Sequence, residues 1–239
     1  MSQSVQCSFE RFEIKYLVSP EQQEQILRTA RRYMRDDEYG RYSICNIYYD
    51  TDDFALIRAS LEKPVYKEKL RVRSYGVPKD GGRVFVEIKK KFDGVVYKRR
   101  TVTSAQDAPL FLCGDLSRSD GGQISREIDC FQRRYRSSPQ VFIGYDRMAL
   151  AGVENEELRM TFDTDLRWRR SDLDLRAGDG GMLLLPENKV LMELKIPGAA
   201  PLWLSRMLSE LEIYPTSYSK YGAVFRDHIL TEKELKKSA

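Results

Sequence analysis

Only one histidine, His228, occurs in 239 residues, which excludes His-centred triads and most histidine-built metal sites. Cysteine is scarce too. Cys7, Cys45, Cys113 and Cys130 lie far apart with no C-x-x-C pair, which argues against zinc clusters and dithiol motifs and fits scattered reduced thiols. No apolar run approaches the roughly 20 residues of a membrane-spanning helix, and the opening MSQSVQCSFERFE has no signal-peptide apolar stretch. A soluble, cytoplasmic chain is expected. There is no internal repeat and no low-complexity segment apart from the charged end TEKELKKSA, about 231–239. An excess of one charge is missing as well: 40 Lys and Arg face 36 Asp and Glu, so the net +4 makes no case for nucleic acid or a membrane surface as partner.

What is present is a foldable chain with cations in a particular arrangement. Hydrophobic residues at 41% and aromatics at 11% suffice for a core, so the 32% charged residues need not mean disorder, and one domain over 1–239 is expected. FERFEIKYLV reads as a strand, and SPEQQEQILRTARRYM follows with a Ser cap, Pro at the first helical position and an acidic first turn. YSICNIYYDT reads as a strand, DDFALIRASL as a short helix, and YKEKLRVRSYG, RVFVEIKKKF and VVYKRRTVT as a three-strand meander with a hairpin at DGV. A helical insertion occupies about 105–135, interrupted by the SRSDGG loop. Strands resume over 140–150, 157–170, 181–186 and 189–198, and two helical segments, PLWLSRMLSELEI and SYSKYGAVFRDHIL, close the fold.

Strand side chains alternate between faces, so KLRVRSYG puts Lys69, Arg71 and Arg73 on one side and Leu70 and Val72 on the other. The same alternation recurs in Arg11, Glu13 and Lys15; Glu87, Lys89 and Lys91; Lys98 and Arg100; Arg147; Arg159 and Asp163; and Glu193 and Lys195. An ordinary half-buried sheet would turn this face to solvent, with helices over Phe12, Ile14, Leu70, Val72, Val86, Ile88, Met192 and Leu194. A closed barrel would turn it inward, where desolvated cations require water or an anion. Arginine matches phosphate oxygens two at a time, and interspersed acids such as Glu87 and Glu193 suit a hard divalent cation. Cations with a few acids point to metal-bound polyphosphate.

RFEIKYLV, KLRVRSYG, FVEIKKK, VVYKRR, GYDRMAL, LRMTFDTDL, VLMELK and SYSKYGAV occur in the order seen in the VTC (vacuolar transporter chaperone) domain of polyphosphate polymerases. This domain belongs to the triphosphate tunnel metalloenzymes, related to the CYTH group, and the resemblance runs from about residue 9 to 228. It implies an α+β fold, an antiparallel β-barrel tunnel with a charged interior and helices outside, that transfers the γ-phosphate of ATP to a growing polyphosphate chain. By position in those motifs, Lys15, Arg71, Arg73, Lys89, Lys98, Arg147, Arg159 and Lys220 resemble the catalytic cations, and Glu193 the metal-binding carboxylate for Mn²⁺ or Mg²⁺. Lys69, Arg100 and Lys195 complete the substrate-binding rows. ATP and polyphosphate are the expected ligands, and a membrane partner is compatible with a chain lacking its own span.

Two departures bear on the reading. Arg11 stands where CYTH hydrolases and cyclases carry the first Glu of E-x-E-x-K, which weakens a metal-rich hydrolase and favours the VTC branch. The regulatory SPX domain and membrane helices that flank some eukaryotic VTC domains are absent from this sequence, so regulation and export do not carry over. A tri- or polyphosphate hydrolase of the same superfamily and a non-catalytic polyphosphate-binding module are the alternatives. Lys67, Lys91 and Arg100 also fit solvated rim charges. Glu87 and Asp163 fit salt bridges to the cations as well as metal ligands, Trp168 and Trp203 fit packing, and His228 fits a structural or exposed position.

Overall fold

The computed structural model describes residues 11–93, 95–114 and 122–231. Cys7, the side chain of Arg11, most of the SRSDGG loop and the tail after 231 lie outside the described residues. The element order is β1 (Arg11–Val18), α1 (Pro20–Ala30), β2 (Met34–Asp50), α2 (Ala55–Leu61), β3 (Tyr66–Tyr75), β4 (Arg83–Phe92), β5 (Val95–Ser104), α3 (Asp107–Cys113), α4 (Gln123–Tyr135), β6 (Ser138–Gly152), β7 (Arg159–Arg169), β8 (Met182–Leu183), β9 (Val190–Pro197), α5 (Leu202–Glu210) and α6 (Lys220–Val224). A 3-10 turn at Leu175–Ala177 precedes β8, and a π-helical turn at Phe225–Leu230 continues α6.

Local chemistry accounts for the boundaries. Ser19 Oγ accepts from the Gln22 backbone N–H at 3.2 Å, while Gln22 Oε1 accepts from the Ser19 N–H at 3.0 Å. That reciprocal cap, with Pro20 at the first helical position, starts α1 as the sequence requires. Asp93, between β4 and β5, has φ 43°, the left-handed backbone a two-residue hairpin needs. β2 is longer than its sequence signal. It begins at Met34, not near Tyr42, because the exposed stretch Arg35–Gly40 has no apolar alternation to announce a strand.

The strands form an antiparallel sheet in the order β1-β9-β7-β6-β2-β3-β4-β5, with β8 on β7. The fold class is the expected one, α+β with a charged sheet face. The hydrogen-bonded path among the described residues is open, where a closed ring was expected. Alternation dictates which face each side chain takes, but no sequence feature encodes pairing of the two end strands.

The chain divides into two compact units. The first draws on Met1–Tyr42, Asp146–Asp165 and Leu185–Tyr218. Its core packs Tyr16, Val18, Met160, Phe162, Met192 and Leu194 of the sheet with Ile26 and Ala30 of α1 and Leu204 and Met207 of α5. Phe12, on the same face of β1, stays half exposed near the start of the strand. The second unit draws on Ser43–Tyr145, Leu166–Leu184 and Ser219–Ala239. There Leu70, Val72, Val84, Val86 and Ile88 pack with Leu56, Ala108, Leu112, Ile128 and Phe131 of α2, α3 and α4. In both units helices cover the apolar face, which leaves the opposite face to the charged side chains.

Candidate functional site: two charged sheet faces

In the second unit, strand register places the cations side by side. Arg71 lies opposite Tyr48 on β2 and Glu87 on β4; Lys69 lies opposite Lys89, which lies opposite Lys98; Glu87 also faces Arg100. Directly paired residues share a face, so these side chains form one surface. At its centre is Glu87, 2% exposed. Its Oε2 accepts from Arg71 Nε at 2.8 Å and lies 2.7 Å from Arg71 Nη2, and its Oε1 is 3.1 Å from Lys98 Nζ.

Arg73 is buried beside this pair. Its Nε donates to Asn46 Oδ1 at 2.9 Å and its Nη2 to Tyr145 Oη at 3.4 Å, with Glu87 Oε2 at 3.9 Å. Asn46 is itself oriented, since its Nδ2 donates to the Ile143 carbonyl at 3.0 Å. Arg71 Nη1 donates to Tyr48 Oη at 3.2 Å, and Tyr48 stacks on Tyr221 at 4.9 Å. Tyr221 in turn donates to Asp50 Oδ2 at 2.9 Å, and Asp50 also accepts from the Leu56 and Ile57 backbone N–H groups. The start of α6 is held to the same face: Lys69 Nζ donates to Ser219 Oγ at 3.4 Å, and Lys220 Nζ sits 4.3 Å above the Tyr145 ring.

The electrostatics follow from this packing. Burial alone would raise the Glu87 pKa, but Arg71, Arg73 and Lys98 overcome it and hold the carboxyl down at about 2. Burial, with Arg71 and Arg73 adding to it, lowers the Lys98 ammonium despite the attraction of Glu87. The two partners of this ion pair thus shift in ways a simple pair would not. The explanation is that Glu87 is bound mainly to the arginines, while half-exposed Lys98 is the cation those arginines repel. For Tyr48, the field of Arg71 and Arg73 outweighs burial and brings the phenol down to about 8. One carboxylate surrounded by this many cations leaves the face electropositive, which is the condition for taking up an anion.

The first unit carries a different set. Lys15 lies opposite Glu193, and Glu13 opposite Lys195; across β9, Arg159 lies opposite Lys195 and Thr161 opposite Glu193. Glu193 is 8% exposed, with Lys195 Nζ at 3.2 Å. Lys15 Nζ donates to the Tyr218 carbonyl at 3.0 Å and lies 3.8 Å from Glu13. Arg147 is held by fully buried Asp163 through two parallel bonds, Nε to Oδ1 at 2.6 Å and Nη2 to Oδ2 at 2.8 Å. Arg159 is exposed. Among the described residues no group of three or more His, Cys, Asp or Glu side chains converges. A single carboxylate beside a lysine does not make a resident metal cage, but it suits a divalent ion that arrives on phosphate oxygens.

The predicted residues therefore fall into two groups. Arg71, Arg73, Lys89, Lys98, Lys69, Arg100 and Lys220 belong to the second unit, and Lys15, Arg147, Arg159, Lys195 and Glu193 to the first. Arg100 lies over the Phe85 ring at 4.8 Å, and Lys67 Nζ donates to the Ser60 carbonyl at 3.1 Å. Glu87 and Asp163 serve as salt-bridge anchors. Trp168 is buried and stacks on His228 at 4.5 Å; Trp203 stacks on Tyr33 at 4.6 Å. The sequence reading missed Tyr48, Asn46, Tyr145 and Asp50. Alternation in YSICNIYYD places Asn46 and Tyr48 on one face, yet neither carries charge to draw attention.

A family model described as the VTC domain matches residues 10–226. The chain belongs to the VTC domain family. Its VTC domain is 27% identical over 176 residues to vacuolar transporter chaperone complex subunit 4 of Schizosaccharomyces pombe, an alignment covering 64% of this chain and 24% of that one. The chain thus spans about a quarter of that relative's length. Among solved structures, the putative adenylyl cyclase HpAC1 from Hippeastrum, described as having a dominant triphosphatase activity, shares the fold at TM-score 0.51 and 17% identity, covering 90% of this VTC domain chain and 94% of its own. A putative adenylate cyclase from Vibrio parahaemolyticus aligns at TM-score 0.45 and 12% identity over 90% and 97% of the two chains. No helix among the described residues is long and apolar enough to cross a membrane.

Proposed function

We propose that this chain is an ATP-dependent polyphosphate polymerase that transfers the γ-phosphate of ATP to the end of a polyphosphate chain. The observation that carries the reading is the arginine pair Arg71 and Arg73, fixed in advance by Glu87, Asn46, Tyr48 and Tyr145 and flanked by Lys69, Lys89 and Lys98. Such a face binds a triphosphate without having to reorganise, which is the main source of electrostatic catalysis in phosphoryl transfer. Membership of the VTC domain family and Arg11 in place of a carboxylate support the polymerase over a hydrolase.

No protein nucleophile is required. A terminal phosphate oxygen of the acceptor chain, already anionic near neutral pH, forms the new bond to the γ-phosphorus as the bond to the β-phosphate oxygen breaks and ADP leaves. Arg71, Arg73, Lys89 and Lys98 hold the triphosphate, with Lys69 and Arg100 extending the row. Lys220, seated on Tyr145, orients the acceptor on this face, and Lys15, fixed by the Tyr218 carbonyl, serves the face of the first unit. Arg147, Arg159 and Lys195 bind phosphate oxygens on the face of the first unit. On that face Glu193 would hold Mn²⁺ or Mg²⁺, which would supply positive charge to bound phosphate oxygens. ATP and polyphosphate are then the working partners of a cytoplasmic domain. The test is to incubate purified protein with ATP, Mn²⁺ and a short polyphosphate primer and resolve the products by size. Chains longer than the primer support the reading; ADP and orthophosphate alone, under any divalent metal, refute it.

A further inference from the structure

One buried polar atom in the first unit has no internal role. Thr161 is 5% exposed, and its Oγ1 is sealed from solvent with no hydrogen-bond partner among the described residues. A hydroxyl buried in this way destabilises the fold, since it has surrendered water and gained nothing. Valine has almost the same shape and high strand propensity, and would fill the position without that cost. The hydroxyl therefore needs another reason to be there.

Its position supplies one. Thr161 lies opposite Glu193 in the β7–β9 register, with Arg159 two residues before it and Asp163 two residues after it on the same strand face. Its neighbours along β7, Met160 and Phe162, point the other way into the core. The hydroxyl thus shares the charged face with Glu193, directly opposite, and with Arg159 and Lys195, the two cations that attract phosphate. Asp163 is already occupied by Arg147 through two bonds, and Glu193 lies 3.2 Å from Lys195.

We propose that Thr161 is a ligand-contacting residue: its hydroxyl, uncovered as side chains of this face turn to a bound phosphate, donates a hydrogen bond to a non-bridging phosphate oxygen and is left unsatisfied until that ligand arrives. The inference rests on the proposed polyphosphate activity for the identity of the ligand. It adds a neutral donor to a set of cations. A hydroxyl reads the position of one oxygen, whereas a lysine responds to charge at a range of distances.

The test compares wild type, T161V and T161S by calorimetric titration with tripolyphosphate in EDTA, alongside thermal melting of each ligand-free protein. A hydrogen bond to an anion is worth about 1.5–3 kcal/mol, so T161V binds about ten- to a hundredfold more weakly, and T161S retains most of the affinity. In the absence of ligand T161V melts higher, by about 2 °C or more, because the unsatisfied hydroxyl is gone. Equal tripolyphosphate affinity in T161V and wild type overturns the inference and leaves the proposed function standing. A lower melting temperature or loss of folding in T161V also overturns it, since the hydroxyl then has an internal partner. Failure of the wild type itself to bind tripolyphosphate removes the proposed function, and this inference with it.

Discussion

Replacing Glu87 with glutamine tests whether the cationic face is pre-organised by one carboxylate. The substitution keeps the volume and removes the charge that Arg71, Arg73 and Lys98 surround. The folded-state pKa of about 2 against an ordinary value of 4.5 corresponds to about 3 kcal/mol of stabilisation at neutral pH. That agrees with the roughly 3–5 kcal/mol lost when one partner of a buried ion pair is removed. For a chain of this length the melting temperature of E87Q should fall by roughly 6 to 12 °C at pH 7. Because the folded pKa lies below the unfolded one, the contribution is complete above about pH 4.5 and is lost as pH falls towards 2. The gap between wild type and E87Q should therefore close over that window, read by calorimetric melts across a pH series. Tripolyphosphate should recover part of the loss at pH 7 by supplying the missing negative charge. A melting temperature within about 2 °C of wild type at pH 7, or a gap that does not close in acid, would refute the reasoning.

Further predictions bear on the rest of the molecule. D163N leaves Arg147 buried without its counter-ion and should cost about 3–5 kcal/mol in denaturant unfolding at pH 7. An ultraviolet titration should show one tyrosine ionising at about pH 8, and Y48F should abolish that step; tyrosinate formation then stabilises the fold as pH rises from about 8 towards 10, the ordinary value. E193Q should lower turnover by about 10² to 10³ while leaving folding and tripolyphosphate binding largely intact. S19A removes one side of the α1 cap and should cost about 1 kcal/mol.

Legibility in the sequence followed the strength of the periodic signal. β3, β4 and β5 were readable because KLRVRSYG and FVEIKKK alternate charge with branched apolar residues, and the structure places Leu70, Val72, Val86 and Ile88 in the core and Arg71 and Glu87 opposite them. The start of α1 was readable because Ser19, Pro20 and the acidic Glu21 all act locally. The first half of β2 was not, since Arg35–Gly40 is polar and exposed and carries a glycine at φ 62°. At the charged faces, alternation identified which cations share a side of each strand. It could not show that Glu87 is claimed by two arginines and a lysine, or that Asp163 claims Arg147, because those choices depend on which strands become neighbours. Tyr48, Asn46 and Tyr221 were invisible for a related reason. They are neutral residues whose value comes only from the arginines and the carboxylate that folding brings to them.

The central claim is transfer of the terminal phosphoryl group of ATP to a phosphate chain, and its most direct measurement is the fate of a label. The protein is given ATP labelled at the γ-phosphate or, in a parallel reaction, at the α-phosphate, with Mn²⁺ and a short unlabelled polyphosphate primer. The γ-label should enter chains longer than the primer while the α-label stays with ADP, in a one-to-one ratio of ADP formed to phosphate added. Recovery of the γ-label solely as orthophosphate, with the primer unchanged in length, would contradict the account.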